Sequence, residues 1–437
     1  MILSAHEARE IMDRLLSLST ADEMRVNLSG GRSGNTRFAL NSISTSGDED
    51  TLNIRVTATF GRRHGTASAN ETDSASLEKL VRAAEELAKL SPEDREYVPE
   101  LGPQEYLDIN PYASATARAT PATRVKAALS AIKPSTRKKL ESAGFFEHNN
   151  SFTAVGNNKG LFGYYPSTNA SYSVTVRSAS EGGSGWASDN ARDINKVNYR
   201  QTSNRAIDKA RKSRGARTLE PGVYPVILEP QAVSDLISFA GRAMSARSAD
   251  EGRSFYSKTG GGNKIGEQVV GSNITIISDP AHPELLGAPF GRDGMAAKKM
   301  VWIKDGVLQN LFYTRHWARE KGVEPTGFPS NIIIPGGKGS LSKLIRGTDR
   351  AVLITRLWYI RYVDPQTILV TGLTRDGTFW VEGGRVRHAV KNFRFNESPI
   401  ALLNKVTGMS RPVRVGRSLM PAIRASEFTF SSLSEAV

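Results

Sequence analysis

The sequence predicts an α+β protein of two domains, whose twisted, mixed or antiparallel sheets are flanked by helices. Segments of alternating polar and apolar residues, separated by Gly, Ser and Asn, are typical of strands, and the amphipathic stretches between them predict helices. The 437 residues exceed the size at which one hydrophobic core usually suffices. Because the pattern changes after Pro221-Gly222, we place the boundary near residue 218, with an N-terminal domain over 1–218 and a β-rich domain over 219–437.

The N-terminal half is expected to begin with a helix, because Ser4 and Glu7 fit a capping box. Strands follow within 23–60, and a second helix is predicted to begin at Asp73 or Ser74. About 118 residues further on, the order of strand, Gly-containing turn, short strand and capped helix recurs. This recurrence predicts a pseudo-repeat of hairpin plus helix. Between the copies, residues 120–145 predict another helix, broken near Pro134.

The C-terminal half is predicted to be rich in strands. Two hairpins are expected, one turning at Asp305-Gly306 and one at Gly383-Gly384, because both dipeptides favour two-residue turns between alternating segments. After about residue 410, Arg and Ser are scattered with little periodicity, so we expect this tail to be loosely held.

Composition excludes several classes of protein. There is no cysteine, which rules out disulfides and sulfur-based metal sites, and no long apolar run predicts a membrane span. His6 and Glu7 argue against a signal peptide, so the cytoplasm is the expected location. The net charge is +14, and residues 191–218 carry nine Lys or Arg against two Asp. A solvated or protein-docking face is favoured there over nucleic-acid binding, because no binding motif or aromatic interleaving accompanies the charge.

The order of segments in the C-terminal half carries a resemblance to a known family. A strand led by Pro-Gly is followed by a helix, a polar loop ending in KIGEQV, the strand NITIISDP, the hairpin IKDGVLQNLFYTRHWA, the run GGKGSLSKLI and the segment 363–398. In this order and spacing the chain resembles the TldD/PmbA family, also called modulators of DNA gyrase. The resemblance extends over residues 150–400.

The resemblance implies a peptidase assembly of two kinds of subunit. TldD-type members are metalloproteases that act on peptides or unfolded segments, and their HExxxH motif lies on the helix after the Pro-Gly-led strand. They pair with a TldE/PmbA-type subunit that lacks the motif. Histidines at i and i+4 share one helix face and hold zinc, while the Glu activates a metal-bound water.

The corresponding helix in this chain, expected near 231–247, offers no such ligands. No histidine occurs between residues 149 and 281, and the polar positions are Ser234, Asp235, Ser238 and Arg242. The i,i+4 pairs of serines, or of serine with arginine, are not zinc ligands. The chain is therefore similar to the TldE/PmbA-type subunit. No catalytic residue, metal ligand or cofactor is assigned to it, and zinc is expected in a partner subunit.

Other sites receive less support from the sequence. The six histidines show no pairing at metal-ligand spacing, the Gly-rich runs match no nucleotide-binding motif, and no G-x-S-x-G elbow indicates a nucleophilic serine. The run Arg375, Asp376 and Gly377 is expected in a loop before the last hairpin, where it would face a cleft and bind substrate. A surface turn is the alternative interpretation.

Three functions follow as hypotheses. The first is a subunit without zinc ligands in a TldD/TldE-type proteolytic assembly, which binds peptide and shapes the chamber as a heterodimer with a TldD-type catalytic subunit. The second is a homodimeric or larger self-assembly that binds peptides or proteins without catalysis. The third is a nucleic-acid-associated protein that uses the basic segment 191–218.

Overall fold

The computed structural model describes residues 2–178 and 182–434. Within these residues the strands form three sheets, most of whose neighbouring strands run antiparallel, and helices pack against them. The predicted α+β class with twisted antiparallel sheets is thereby confirmed. Among the same residues, no helix combines the length and the apolar character needed to cross a bilayer.

The first sheet is formed entirely by strands that precede residue 192. It has six antiparallel strands in the order β3-β2-β1-β4-β5-β6. The elements of this part of the chain are α1 (Ala5–Leu18), β1 (Glu23–Ala39), β2 (Ser42–Phe60), β3 (Arg63–Ala69), α2 (Ser74–Leu90), α3 (Ser114–Ala117), α4 (Pro121–Arg137), β4 (Glu141–Asn157), β5 (Phe162–Ser178), β6 (Gly183–Ala191) and α5 (Tyr199–Lys212).

The two halves of the first sheet have the same order of elements. Each contains a helix, three strands and a second helix, and the halves meet where β1 pairs antiparallel with β4. One hydrophobic cluster lies between α1, α2 and the first half, and another lies between α4, α5 and the second half. The pseudo-repeat that the sequence predicts has this same order of strands followed by a helix.

Local signals for the helix ends are confirmed. The Ser4 hydroxyl accepts a hydrogen bond from the Glu7 backbone N–H at 3.3 Å, and the Ser4 N–H donates to the Glu7 carboxylate at 2.8 Å. Asp73 caps α2 by accepting from the N–H groups of Ala75 and Ser76. These bonds satisfy donors that a helix N-terminus would otherwise leave unpaired.

The expected break at Pro134 is wrong, because α4 continues through it to Arg137. Only one turn follows the proline, and that turn is held by packing. Ala131, Ile132 and Ser135 are buried, and the Lys138 N–H donates to the Pro134 carbonyl. Burial of this face compensates for the hydrogen bond that proline cannot make.

The remaining strands belong to two further sheets. A six-stranded sheet has the order β10-β9-β8-β11-β18-β17, and a seven-stranded one contains β7, β12 to β16 and β19. The elements are β7 (Gly222–Leu228), α6 (Pro230–Arg242), α7 (Ala246–Asp250), β8 (Ile276–Ser278), β9 (Met300–Lys304), β10 (Val307–Leu308), α8 (Arg315–Lys321), β11 (Ile332–Ile333), α9 (Leu341–Arg346), β12 (Arg350–Asp364), β13 (Leu369–Glu382), β14 (Arg385–Ala389), β15 (Phe393–Glu397), α10 (Pro399–Asn404), β16 (Val406–Met409), β17 (Val413–Val415), β18 (Ser418–Met420) and β19 (Ile423–Leu433).

The seven-stranded sheet closes on itself. β12 pairs with β7 on one edge and with β13 on the other, and the path through β19 and β15 completes a ring of five strands. Phenylalanines of β15 and β19 pack in its core, where the rings of Phe393 and Phe430 lie 4.5 Å apart. Both predicted hairpins, at Asp305-Gly306 and Gly383-Gly384, are confirmed.

The expectation of a loosely held tail after residue 410 is wrong. β19 lies between β7 and β15 in the closed sheet, and Phe428 and Phe430 are buried in its core. The short FTFSS stretch has the period of two that places both aromatic rings on one face. The arginines and serines around it occupy the other positions, which obscured this alternation.

The division of the chain near residue 218 stays a prediction. Strands before that point form one sheet and strands after it form the other two. Arg217 lies next to Val390 in an isolated bridge, and its N–H donates to the carbonyl of Ala389 at 3.0 Å.

Candidate functional site

Helix α6 begins directly after β7 and packs on β12. Val233, Leu236 and Ile237 bury its apolar stripe in the C-terminal core. The predicted helix over 231–247 is shorter in the structure, because α6 ends at Arg242 and α7 restarts at Ala246. Backbone hydrogen bonds from the Phe312 N–H to the Met244 carbonyl, and from the Ala246 N–H to the Phe312 carbonyl, hold the break.

A cavity of 420 Å³ lies beside this helix, and we call it the helix cavity. Its walls are mostly apolar and come from segments far apart in the sequence. The Trp302 ring stands edge-on to Phe312 at 4.7 Å, and its Nε1–H donates to the Ser278 hydroxyl at 3.1 Å. The lining residues used below are Ser234, Ser238, Arg242, Met244, Tyr256, Ile276, Trp302, Phe312, Phe328 and Met420.

The side chains of α6 at the helix cavity do not fit a zinc ion. Ser234, Ser238 and Arg242, one turn apart, all line it. Neutral hydroxyls are poor zinc ligands, and a guanidinium repels a cation. The Ser238 hydroxyl already donates to the Asp235 carbonyl at 2.9 Å. Across residues 2–178 and 182–434, no three His, Asp or Glu side chains come together as a metal site would need.

Asp235, the only carboxylate on α6, serves to attach the helix to β12. It accepts hydrogen bonds from the Gln231 side chain at 2.7 Å and from the Leu357 N–H at 3.0 Å. Burial raises the pKa of Asp235 to about 6, although both hydrogen bonds and the charge of Arg356 oppose the shift. Its two oxygens are occupied by these structural contacts.

The placement of Arg375, Asp376 and Gly377 in a loop is wrong. They lie inside β13, opposite β12, at a shift in register between Ile354 and Arg356. Asp-Gly does adopt the left-handed backbone typical of turns, with φ of 55° at Asp376 and 124° at Gly377. Both flanks nevertheless continue to pair with β12, so the dipeptide forms a bulge within the strand.

The carboxylate of Asp376 joins the first sheet to the closed one. Its side chain is 1% exposed, and one oxygen lies 3.0 Å from Arg356 Nε, while the Ser184 hydroxyl of β6 donates to the other. The Arg356 guanidinium lies over the rings of Trp186 and Trp358 at 4.8 and 4.9 Å. We call these five residues the Asp376 cluster. The predicted role of Arg375, Asp376 and Gly377 in binding substrate stays a prediction.

The basic segment 191–218 is partly engaged within the fold. Helix α5 buries Ala206 and Ala210 against β5 and β6. Lys209 pairs with Glu229 at 2.7 Å, and the Arg205 guanidinium donates to the Ser188 carbonyl at 3.1 Å. Two of the cations that suggested an exposed positive face therefore hold the helix in place.

A polar cluster around the buried Arg124 and His148 was not identified from the sequence. Arg124 of α4 pairs with Asp48 at 2.7 Å, and its guanidinium donates to His148 Nε2 at 3.1 Å. A Cβ at Gly34 would lie 2.1 Å from Arg124 Nη1, so the glycine makes room for the pair. Burial and the adjacent guanidinium lower the pKa of His148, which keeps the ring neutral.

The walls of the helix cavity were also missed. Tyr256, Trp302, Phe312 and Phe328 belong to separate segments that only the tertiary fold brings together. The signal that could have revealed these walls is the cluster of aromatic residues in 302–328, considered together with the helix predicted near 231–247.

Comparison with known proteins places these features in a family. Three domain models of the PmbA/TldA metallopeptidases match: domain 1 over 26–88, the central domain over 110–214 and the C-terminal domain over 221–432. Metalloprotease PmbA of Escherichia coli O157:H7 is 24% identical over 77% of this chain and 76% of its own length. An uncharacterised protein of Methanocaldococcus jannaschii is 32% identical, but the match spans 34% of this chain and 36% of that protein.

The fold is also that of a solved structure. TldE from Thermococcus kodakarensis superimposes with a TM-score of 0.86 at 20% identity, over 98% of this chain and all of that one. At this identity the likeness concerns the fold alone.

Proposed function

Because the chain belongs to the PmbA/TldD family of metallopeptidases, we propose that it is the subunit without zinc ligands in a TldD/TldE-type proteolytic assembly. In this role it binds peptide and shapes the chamber, while a TldD-type partner supplies the metal. The zinc of the partner would activate water for hydrolysis. This chain's own contribution is binding and enclosure.

One observation carries the proposal. The family fold extends over nearly the whole chain, and the helix after the Pro-Gly-led strand is in place, but its cavity-facing positions are Ser234, Ser238 and Arg242. An apolar cavity that offers no metal ligands at these positions supports a binding role.

Substrate binding is assigned to the helix cavity ahead of Arg375, Asp376 and Gly377. The carboxylate of Asp376 is buried and already paired with Arg356 and Ser184. The helix cavity, in contrast, is open on the side of Phe328, whose side chain is 78% exposed. Apolar clefts with few polar groups are typical of ligand sites.

The test is a native pull-down of the chain from its own cells, with identification of the partner by mass and zinc analysis of the complex. We expect a partner that carries HExxxH in equal amount, zinc in the complex, and no stoichiometric zinc on the chain purified alone. Stoichiometric zinc on the isolated chain, or peptide hydrolysis without a partner, would contradict the proposal.

A homo-oligomeric binding protein is the second candidate, and an exposed strip on β12 favours it. Trp358, Tyr359 and Val363 lie at the surface, with Tyr359 60% exposed. A strip of this kind fits an interface with another protein. Light scattering on the purified chain distinguishes the two cases. A dimer that the double substitution Tyr359→Ser and Val363→Ser dissociates, and that Leu90→Ser on α2 leaves intact, would favour self-assembly; Leu90 is an apolar residue that is 84% exposed.

A nucleic-acid role receives less support. Arg205 and Lys209, which belong to the basic segment 191–218, are engaged within the fold. Salt-sensitive DNA binding that is lost when Arg200, Arg211 and Lys212 are neutralised would nevertheless establish it.

A further inference from the structure

The helix cavity is large and apolar enough to hold a ligand. An engineered apolar cavity of about 150 Å³ binds benzene, and this one measures 420 Å³. Met244, Ile276, Trp302, Phe312 and Met420 are among the apolar residues of its wall. The volume therefore suits a body of two or three ring-sized apolar groups, such as a medium-length alkyl chain or two apolar side chains.

One hydroxyl in the wall has no partner. Tyr256 is 0% exposed, and within the described ranges its Oη makes no hydrogen bond. Buried hydroxyls are nearly always paired, because an unpaired one loses its hydrogen bond to water without replacement. Burial raises the pKa of Tyr256 well above its ordinary value, so the group is a hydrogen-bond donor at any physiological pH. An acceptor on a bound ligand would satisfy it.

A cation at the mouth also lacks a counter-ion. Arg242 is exposed and lines the cavity, and its guanidinium lies 5.3 Å from the centre of the Phe239 ring. In the part of the chain that the structure describes, it has no ion-pair partner. The same Phe239 ring packs against Tyr362, with the ring centres 5.0 Å apart.

From these three features we infer that the helix cavity binds an apolar monocarboxylate, whose body fills the cavity and whose carboxylate lies at Arg242. Where the ligand is a peptide end, one of its backbone carbonyls accepts from the Tyr256 hydroxyl. Two sources share this chemistry: a free fatty acid, and the C-terminal residues of a peptide. The second source rests on the proposed function, since such an end is what a peptidase releases; the first does not.

The inference is tested by calorimetry on the intact chain at pH 7. The probes are decanoate, decanamide, N-acetyl-Leu-Phe and its C-terminal amide. We expect each acid to bind at least tenfold more tightly than its amide, and 10-bromodecanoate to quench Trp302, since the bromine would lie against the ring. Tighter binding of the peptide acid identifies a peptide end as the ligand, and tighter binding of decanoate identifies a fatty acid.

Two conservative variants separate the contacts. Arg242→Gln should abolish the preference for acid over amide, and Arg211→Gln, a matched change on the exposed face of α5, should leave it unchanged. Tyr256→Phe should weaken the binding of N-acetyl-Leu-Phe about tenfold without lowering the thermal midpoint, because the hydroxyl it removes is unpaired in the fold. Equal affinity for acids and amides, no binding at millimolar concentration, or binding unaffected by both variants would overturn the inference. None of these outcomes alters the pull-down result, so the two proposals fail separately.

Discussion

Removing the charge of Asp376 should destabilise the protein strongly. Its carboxylate is 1% exposed and lies 3.0 Å from Arg356 Nε, whose side chain is 14% exposed. Asp376→Asn keeps a side chain that tolerates the left-handed backbone and can still accept from Ser184. It therefore removes the charge alone and leaves the buried Arg356 without its nearest counter-charge, although the carboxylate of Asp235 is also close enough to act on it. The expected cost is about 3 to 5 kcal/mol at most.

The assay is denaturation in guanidinium chloride followed by tryptophan fluorescence. Trp186 and Trp358 lie against the Arg356 guanidinium, so they report directly on the cluster. Asp305→Asn is the matched control: it also has positive φ, at 49°, but lies in an exposed turn, and we expect a change within about 0.5 kcal/mol. If Asp376→Asn were as mild as the control, the ion pair would not stabilise the joint between the sheets and the reasoning would fail.

Three further outcomes are expected. The double substitution Ser234→His and Ser238→His places two imidazoles at i and i+4 on the cavity side of α6, so zinc should raise the thermal midpoint of this variant and not that of Ser238→His alone; no difference would show that these positions do not face each other across one turn. The folded-state pKa of Asp235 lies near 6, above its unfolded value, so its protonated form favours folding and that contribution is lost as the pH rises through about 6. The variant Asp235→Asn has no such titration. Its free energy of unfolding, relative to that of the native chain, should therefore rise by about 3 kcal/mol at most between pH 4 and pH 7, and a pH-independent difference in urea unfolding would refute the raised pKa of Asp235. Phe430→Ala should cost about 3 to 5 kcal/mol because the ring is buried in the closed sheet, whereas Val413→Ala, at an exposed position of β17, should cost under about 1 kcal/mol; similar losses would mean that β19 is not part of the core.

Features set by neighbouring residues were predictable from the sequence. The capping residues Ser4 and Asp73 and the turns at 305–306 and 383–384 depend on a few adjacent side chains, and all lie where expected. The Asp376-Gly377 dipeptide shows the limit of such signals. It has turn geometry but lies in a strand, because pairing on both flanks with β12 outweighs the local preference.

The candidate site also has a part that the sequence predicts and a part that it does not. The position of α6 and the identity of its polar residues followed from the sequence, since a helix face depends only on spacing. The cavity did not, because its aromatic walls come from segments that tertiary packing brings together. The β19 tail was missed for a related reason: its alternation spans only a few residues, and its burial depends on β7, about 200 residues earlier.

The closed sheet imposes a delay during synthesis. β7 emerges first among its strands, but the neighbour β19 follows only about 200 residues later, between Gly222 and Ile423. At about 5 to 20 residues per second, the ribosome needs on the order of 10 to 40 s to supply it. Throughout that interval the edge of β7 that later pairs with β19 stays unpaired, although the first sheet is already complete. Because exposed strand edges promote aggregation, a chaperone that covers such edges is expected to bind the nascent chain during this interval.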